Sequence, residues 1–411
     1  MTRHEKFVHD GYLILRGVVP AARLESLRHA CEVIVDRARA NDPRWYTTAT
    51  ARTQVVPYLD EDTVETLGFA LHESTFGASA EVLGRDADEV GLATVSILCN
   101  PEFEPTETPP AGQSWGTDPR NWHRDVRPDH AAPLNALLDY EDANGPGYAQ
   151  WNIALHDDAI FHLVPGSQRR RMSGAESRQL NTEGGTQAPL ADCVCADLQP
   201  GDGIVYNNML LHWGSKYTQR KIRRTIHLGY RAFGPFMPHQ WGCSLPERVA
   251  ELLPANSSPR RRLEHGFSLY RNECTLVQDI FRAVVDDDVA GFRAGLARLH
   301  PNRDGQLTCV ILLSKIARNA RQLHTEMKPD GHARDGTTPC IGVEEQIART
   351  LTTVEMEKLW QSFAVLDRML RGDEPTHVRS FLGPPTDYLF DELPAGMTVD
   401  RVIPMMFERS R

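Results

Sequence analysis

The sequence predicts a mainly β core with helical additions, a sandwich or barrel of antiparallel strands followed by a mostly helical C-terminal region. Two changes of rhythm predict it. From about Val90 onward, short strand-like runs recur between Gly, Pro and Asp: "VGLATVSIL", "YAQWNIAL", "AIFHLVPGS", "DGIVYNNMLLH" and "RTIHLGYRAF". After about Pro246 the apolar residues fall instead at spacings of three and four, as in "TLVQDIFRAVV", "VAGFRAGLARL" and "TCVILLSKIARNARQL". With 411 residues the chain is long enough for two units, divided as 1–245 and 246–411.

Each element has a local reason. "DGYLILRGVV" is an apolar run bounded by turn residues and reads as a strand. Pro20 then opens a helix whose apolar face is Leu24, Leu27, Cys31, Ile34 and Val35. Pro165-Gly166-Ser167 turns the chain after one strand, and Pro200-Gly201-Asp202 turns it before another. In "ADCVCADLQPGD", Cys193 and Cys195 read as alternate residues of a strand rather than as metal ligands. In "TVEMEKLWQSFAVLDRML", Met356, Leu359, Phe363, Leu366 and Leu370 share one helical face, and Thr352 with Glu355 resembles a capping box. Lys328 to Cys340 reads as an exposed loop, and no repeat or low-complexity segment is found.

Composition excludes several classes. A formal net charge of -10 opposes binding to a phosphate backbone, so no nucleic-acid partner is expected. No segment reaches the roughly 18 apolar residues of a membrane span, and no signal-like apolar run follows the first charges. A cytoplasmic protein without a membrane partner is expected. The eight cysteines show neither zinc-ribbon nor disulfide-framework spacing and read as reduced thiols.

The stretch "NWHRDVRPDH" contains His123-Arg124-Asp125, which has two chemical readings. A kinase catalytic loop needs an Asn five residues beyond the Asp, but His130 stands there, and neither Asp-Phe-Gly nor an upstream Gly-x-Gly-x-x-Gly is found. An iron site needs His123 and Asp125 on one face of an extended segment, Arg124 on the other, and a second His from elsewhere. A candidate for that second His is His212, at the end of "LQPGDGIVYNNMLLH". Arg223 follows 11 residues later, and Arg223 with Thr225, two apart on a strand, could grip one carboxylate between a guanidinium and a hydroxyl.

Taken in order, these segments resemble the phytanoyl-CoA dioxygenase superfamily of iron(II)- and 2-oxoglutarate-dependent oxygenases. The resemblance covers roughly residues 5–235: "FVHDGYLILRGVV", His123-x-Asp125, "IALHDD...FHLVPGS", the approach to His212 and the Arg223-x-Thr225 pair. It implies a double-stranded β-helix (jelly-roll, cupin-like), with His123, Asp125 and His212 as Fe(II) ligands. It also implies that Arg223, assisted by Thr225, binds the far carboxylate of the cosubstrate 2-oxoglutarate; a register slip of one residue would hand this role to Arg224. The implied reaction hydroxylates or otherwise oxidises a C–H bond of a small-molecule substrate while 2-oxoglutarate and O2 become succinate and CO2. Asp125 favours hydroxylation or desaturation over halogenation, because related halogenases carry Gly or Ala at this carboxylate. A protein hydroxylase and a non-catalytic metal-binding barrel are the competing readings.

The sequence departs from the family pattern at Gln168, where Pro-Gly-Ser-His is usual, and around Lys216 and Tyr217, where an Asn is often found. Neither position is an implied ligand. His162 and His227 could line the pocket but read first as structural, and His130 and His156 have no motif support. Trp122 and Trp213 flank ligands yet read as packing. Arg169 to Arg171 and Arg260 to Arg262 read as solvated runs, the first set with a possible contact to an anionic substrate. The C-terminal helices are expected to cover part of the barrel or to form a homodimer contact.

Overall fold

The computed structural model describes residues 1–41, 51–99, 122–126, 132–182, 184–215, 222–236, 242–243, 245–326, 341–371 and 393–408. The loop 328–340, His130, Lys216 and Tyr217 lie outside the described residues.

Helix α1 (Arg3–Asp10) starts at Thr2, whose side chain forms a capping box with Glu5. It stops at Gly11, where φ is 81°, a left-handed conformation that a side chain would resist. Strand β1 (Tyr12–Leu15) and helix α2 (Ala21–Asn41) follow, α2 burying Leu27, Cys31, Ile34 and Val35. The remaining strands of the β region are β2 (Ala51–Gln54), β3 (Val90–Cys99), β4 (Tyr148–Ala154), β5 (Phe161–Leu163), β6 (Val194–Cys195), β7 (Gly203–Asn207), β8 (His212–Gly214) and β9 (Arg224–Ala232).

Six of them form one large sheet in the order β1-β7-β4-β9-β3-β2, with every neighbouring pair antiparallel. A smaller sheet has the order β6-β5-β8, and an antiparallel bridge between His123 and His212 extends it by the segment that holds His123. Every residue of β4 and β9 is buried, so both faces of the large sheet are covered. Alternation along the strands separates the faces. On β4, Trp151 and Ile153 join the large apolar core, and the Trp151 indole donates to Ser79 Oγ at 2.8 Å. Ala154, with Ile204 and Tyr206 of β7, packs toward Phe161 and Leu163 of the smaller sheet.

Four helices lie within the β region: α3 (Glu65–Ala70), α4 (Ala78–Leu83), α5 (Leu134–Asn144) and α6 (Gly174–Leu180). The C-terminal region is helical, with α7 (Ser258–Val285), α8 (Val289–Leu299), α9 (Arg303–Glu326), α10 (Val343–Thr350), α11 (Thr353–Arg371) and α12 (Val399–Phe407). Residue Thr352 caps α11 as the sequence predicts, receiving the Glu355 amide and donating its own amide to the Glu355 carboxylate. The expected stripe from Met356 to Leu370 is buried.

The C-terminal helices share the core of the β region. One apolar cluster runs from Phe7 and Leu27 through Ile226 and Leu228 to Phe281, Phe363 and Met406. Helix α7 presents Leu263, Phe267, Tyr270, Cys274, Val277 and Phe281 on one face, a spacing of three and four that suits burial. It lies close to β3 where two glycines meet: a Cβ added to Gly91 would sit 3.7 Å from Gly266 Cα. An ion pair of 2.6 Å between Arg231 of β9 and Glu273 of α7 ties the same two layers. Among the described residues no helix is long and apolar enough to cross a membrane.

Candidate metal centre

The segment around His123 is extended and locked to the start of β8. His123 and His212 exchange backbone hydrogen bonds at 3.0 and 2.9 Å, and the Asp125 amide donates to Asn208 O at 2.9 Å. Two residues apart on such a segment, His123 and Asp125 face one side together. His123 Nε2 lies 3.6 Å from Asp125 Oδ1, and His212 Nε2 lies 3.7 Å from Asp125 Oδ2. One potential ligand atom from each of the three residues falls within 4.8 Å of the others, so the group could hold a metal ion.

The surroundings suit that use. His212 Nδ1 is 2.8 Å from Leu210 O. A carbonyl can only accept, so the ring proton sits on Nδ1 and the Nε2 lone pair faces the carboxylate, as a metal ligand requires. Gln150 on β4 donates from Nε2 to Asp125 Oδ2 at 2.7 Å and to the Tyr206 hydroxyl at 2.9 Å. Two imidazole nitrogens and one carboxylate form the donor set of non-heme Fe(II) sites with open coordination positions. The rings of Phe161 on the small sheet and Tyr206 on the large sheet, with centroids 5.4 and 5.1 Å from that of His212, wall the site.

Arg124 points away from the triad and is 3% exposed. Its Nη1 donates to Ser167 O at 2.6 Å and Met209 O at 2.7 Å, and its Nη2 donates to Arg170 O at 2.9 Å. Arg124, on the face opposite His123 and Asp125, therefore fastens their segment to two loops. One of them is the Pro165-Gly166-Ser167 turn, whose Ser167 Oγ accepts from the Leu211 amide at 2.8 Å, one residue before His212. Gln168 donates to Val8 O at 2.9 Å and holds the turn against α1.

Arg223 and Thr225 stand at the start of β9, and a third residue joins them. Asp158 Oδ2 accepts from Arg223 Nε at 2.9 Å and from Thr225 Oγ1 at 2.7 Å, while Oδ1 accepts from the Ile160 amide at 3.1 Å. Burial alone would push this carboxyl up, but Arg223, the Thr225 hydroxyl and the Ile160 amide outweigh it and hold Asp158 below the usual range. Thr225 pairs with Ala154 and Gly229 pairs with Gln150 across β9 and β4, so Thr225 and Gln150 share the face that looks toward the triad. Arg224 turns to the other face and donates to Glu32 of α2 at 2.9 Å.

The remaining candidates separate by face. His227 is buried on the triad side, with Nδ1 2.9 Å from Asn152 Oδ1. His162 lies against Trp213, with ring centroids 5.0 Å apart, on the opposite side of the small sheet from Phe161. Trp122 and Trp213 stack at 5.6 Å and belong to a separate apolar cluster with Leu180 and Leu190, which is packing rather than a site wall. Cys193 and Cys195 are free thiols. His156 lies in the half-buried turn after β4. Arg169 pairs with Asp142 and Arg170 with Glu176. Arg260 pairs with Glu264, and Arg262 pairs with Glu73 and lies over the Phe76 ring. Sequence reading missed Gln150 and Asp158; the available signal for the first was a pair of polar residues, Gln150 and Asn152, alternating inside an otherwise apolar strand.

The model of the family described as phytanoyl-CoA dioxygenase (PhyH) matches residues 7–225. The chain belongs to the phytanoyl-CoA dioxygenase family. The matched stretch contains His123, Asp125, His212, Arg223 and Thr225, and oxygenase chemistry of the iron and 2-oxoglutarate type is the reading that this family supports. No curated protein matches the chain. Solved structures are similar at low identity. AviO1 from Streptomyces viridochromogenes Tue57 is 16% identical with a TM-score of 0.40, over 58% of this chain and 96% of that one. EctD from S. alaskensis with bound Fe is 16% identical with a TM-score of 0.40, over 56% and 75%. The non-heme alpha ketoglutarate dependent epimerase SnoN from nogalamycin biosynthesis is 18% identical with a TM-score of 0.37, over 56% and 81%.

Proposed function

We propose that the protein is an Fe(II)- and 2-oxoglutarate-dependent dioxygenase that hydroxylates, or otherwise oxidises, an unactivated C–H bond of a small molecule. One observation carries this reading. Inside the family-matched stretch, His123, Asp125 and His212 gather three donors within 4.8 Å, and Leu210 O and Gln150 orient two of them. When bound, iron with 2-oxoglutarate and O2 supplies the oxidising chemistry, with succinate and CO2 as coproducts.

The protein's own part is to bind, orient and keep dry. His123, Asp125 and His212 would hold the metal, and Arg223 would receive the distal carboxylate of 2-oxoglutarate on the same face of the large sheet. Phe161, Tyr206, Leu198 and Ile204 close the space between the two sheets to water. In this reading the two sheets are the walls of a double-stranded β-helix, with β7, β4, β9 and β3 facing β6, β5, β8 and the His123 segment. Residues 1–245 form the oxygenase unit, and 246–411 form a cover over its outer face or a dimer contact.

Succinate production tests the reading. Purified protein with Fe(II), 2-oxoglutarate and O2 should release succinate, faster when a true substrate is present, and Asp125→Ala or His212→Ala should abolish it. A wild-type protein that binds iron but forms no succinate with any compound would leave a metal-binding barrel without turnover.

A further inference from the structure

Asp158 occupies a position that neither the motif pattern nor the metal site explains. It is 4% exposed, Thr225 is fully buried and Arg223 is 9% exposed, so this carboxylate has been taken out of water next to the proposed cosubstrate anchor. Its backbone is fixed as firmly as its side chain: the Asp158 amide donates to Leu198 O at 3.0 Å, and the Leu198 amide donates back to Asp158 O at 2.9 Å. With the backbone held by Leu198 and the carboxylate bonded to the Ile160 amide, Arg223 and Thr225, Asp158 is positioned against Arg223 by five hydrogen bonds.

The direction of the hydrogen bonds matters. Arg223 uses Nε, the edge of the guanidinium nearest its own chain, to reach Asp158. A guanidinium is planar, so fixing Nε fixes the plane in which the two terminal nitrogens lie. Thr225 has one hydroxyl proton, and it is donated to the same Asp158 oxygen.

We propose that Asp158 is the positioning residue of the cosubstrate anchor. It sets the plane of Arg223 so that the terminal nitrogens receive the distal carboxylate of 2-oxoglutarate, and Thr225 acts on the cosubstrate through Asp158 rather than by direct contact. This inference rests on the dioxygenase reading above and assigns the anchor three members in place of the two that the sequence implies.

A double-mutant cycle on cosubstrate affinity tests it. Binding of 2-oxoglutarate to the Fe(II)-loaded protein is measured without oxygen for wild type, Asp158→Asn, Thr225→Val and the double variant, with Fe(II) affinity and Tm measured in parallel. Asp158→Asn keeps the shape of the side chain and should raise the Kd for 2-oxoglutarate tenfold or more while Fe(II) affinity stays within twofold. Thr225→Val should raise it about threefold in the wild-type background and leave it unchanged in the Asp158→Asn background. An Asp158→Asn variant that binds 2-oxoglutarate as tightly as wild type, or more tightly, would make Asp158 only a counter-ion and overturn the proposal. So would a Thr225→Val effect of equal size in both backgrounds, since Thr225 would then contact the cosubstrate directly. Should Asp158→Asn not fold, Thr225→Val combined with Arg223→Lys supplies a second cycle: coupled effects support the three-member anchor and additive effects reject it. A wild-type protein that takes up no 2-oxoglutarate fails at the dioxygenase reading itself, before Asp158 is involved.

Discussion

Gln150 donates its side-chain amide to Asp125 Oδ2 at 2.7 Å, so a strand of the large sheet helps to set the direction of the carboxylate proposed to hold the metal. Outer partners of this kind typically change metal affinity by about 10–100-fold. Gln150→Leu should therefore weaken Fe(II) or Co(II) binding by roughly that factor with little loss of Tm, as read by metal titration. Tyr206→Phe removes only the second acceptor of the same amide and should change affinity by less than about threefold.

Arg124 gives a prediction about folding rather than chemistry. Its guanidinium serves three carbonyls in a buried place. Leaving a buried polar group unmatched costs about 1–3 kcal/mol, so Arg124→Met should lower stability by roughly 3 kcal/mol or more in urea unfolding. Arg124→Lys, with a single nitrogen in place of the fork, should recover only part of the loss.

The ion pair between Arg231 and Glu273 joins β9 to α7 at 2.6 Å with the guanidinium fully buried. Breaking a buried pair by removing one partner costs about 3–5 kcal/mol. Glu273→Ala should show that loss as one cooperative transition, because the C-terminal helices and the sheet share one core. Two separate transitions would mean that the helical region folds apart from the sheet. For the same reason, deleting residues 246–411 should yield aggregated protein.

A pH dependence follows from Glu141, which lines a cavity of about 300 Å³ with Asn207 and Gln168. Burial pushes its carboxyl up to about 7, and the Asn207 amide only partly offsets this. The unfolded chain releases this proton near pH 4.3, so between that pH and about 7 the folded state holds a proton that the unfolded state has lost, and stability falls as pH rises. Glu141→Gln removes the titration. Its Tm relative to wild type should climb from pH 5 to pH 7 and level off above, and a constant offset across that range would contradict the assignment.

Some of this was legible in the sequence. His123, Asp125 and His212 could be paired because side-chain alternation on an extended segment is a two-residue rule, and the same parity separates Arg223 from Arg224, which turns to Glu32. The capping box at Thr352 and the stripe from Met356 to Leu370 were legible because both are local patterns. Asp158 was not, since its partners lie 65 and 67 residues away and nothing near it marks a pair. Arg124 was not, because its partners are backbone carbonyls, which every residue has. The helices α3 to α6 within the β region were missed because they are short and gain their stability from packing rather than from their own propensity. Apolar stripes say that a helix is covered, not by what, so the sequence left cover over the barrel and a homodimer contact both open for the C-terminal helices.

The most direct test is an anaerobic titration of the wild-type protein with Fe(II) and then 2-oxoglutarate, followed by visible absorption. A weak charge-transfer band that saturates with 2-oxoglutarate and is lost in His212→Ala is the expected result. A wild-type spectrum without that band, no different from that of His212→Ala, would contradict it.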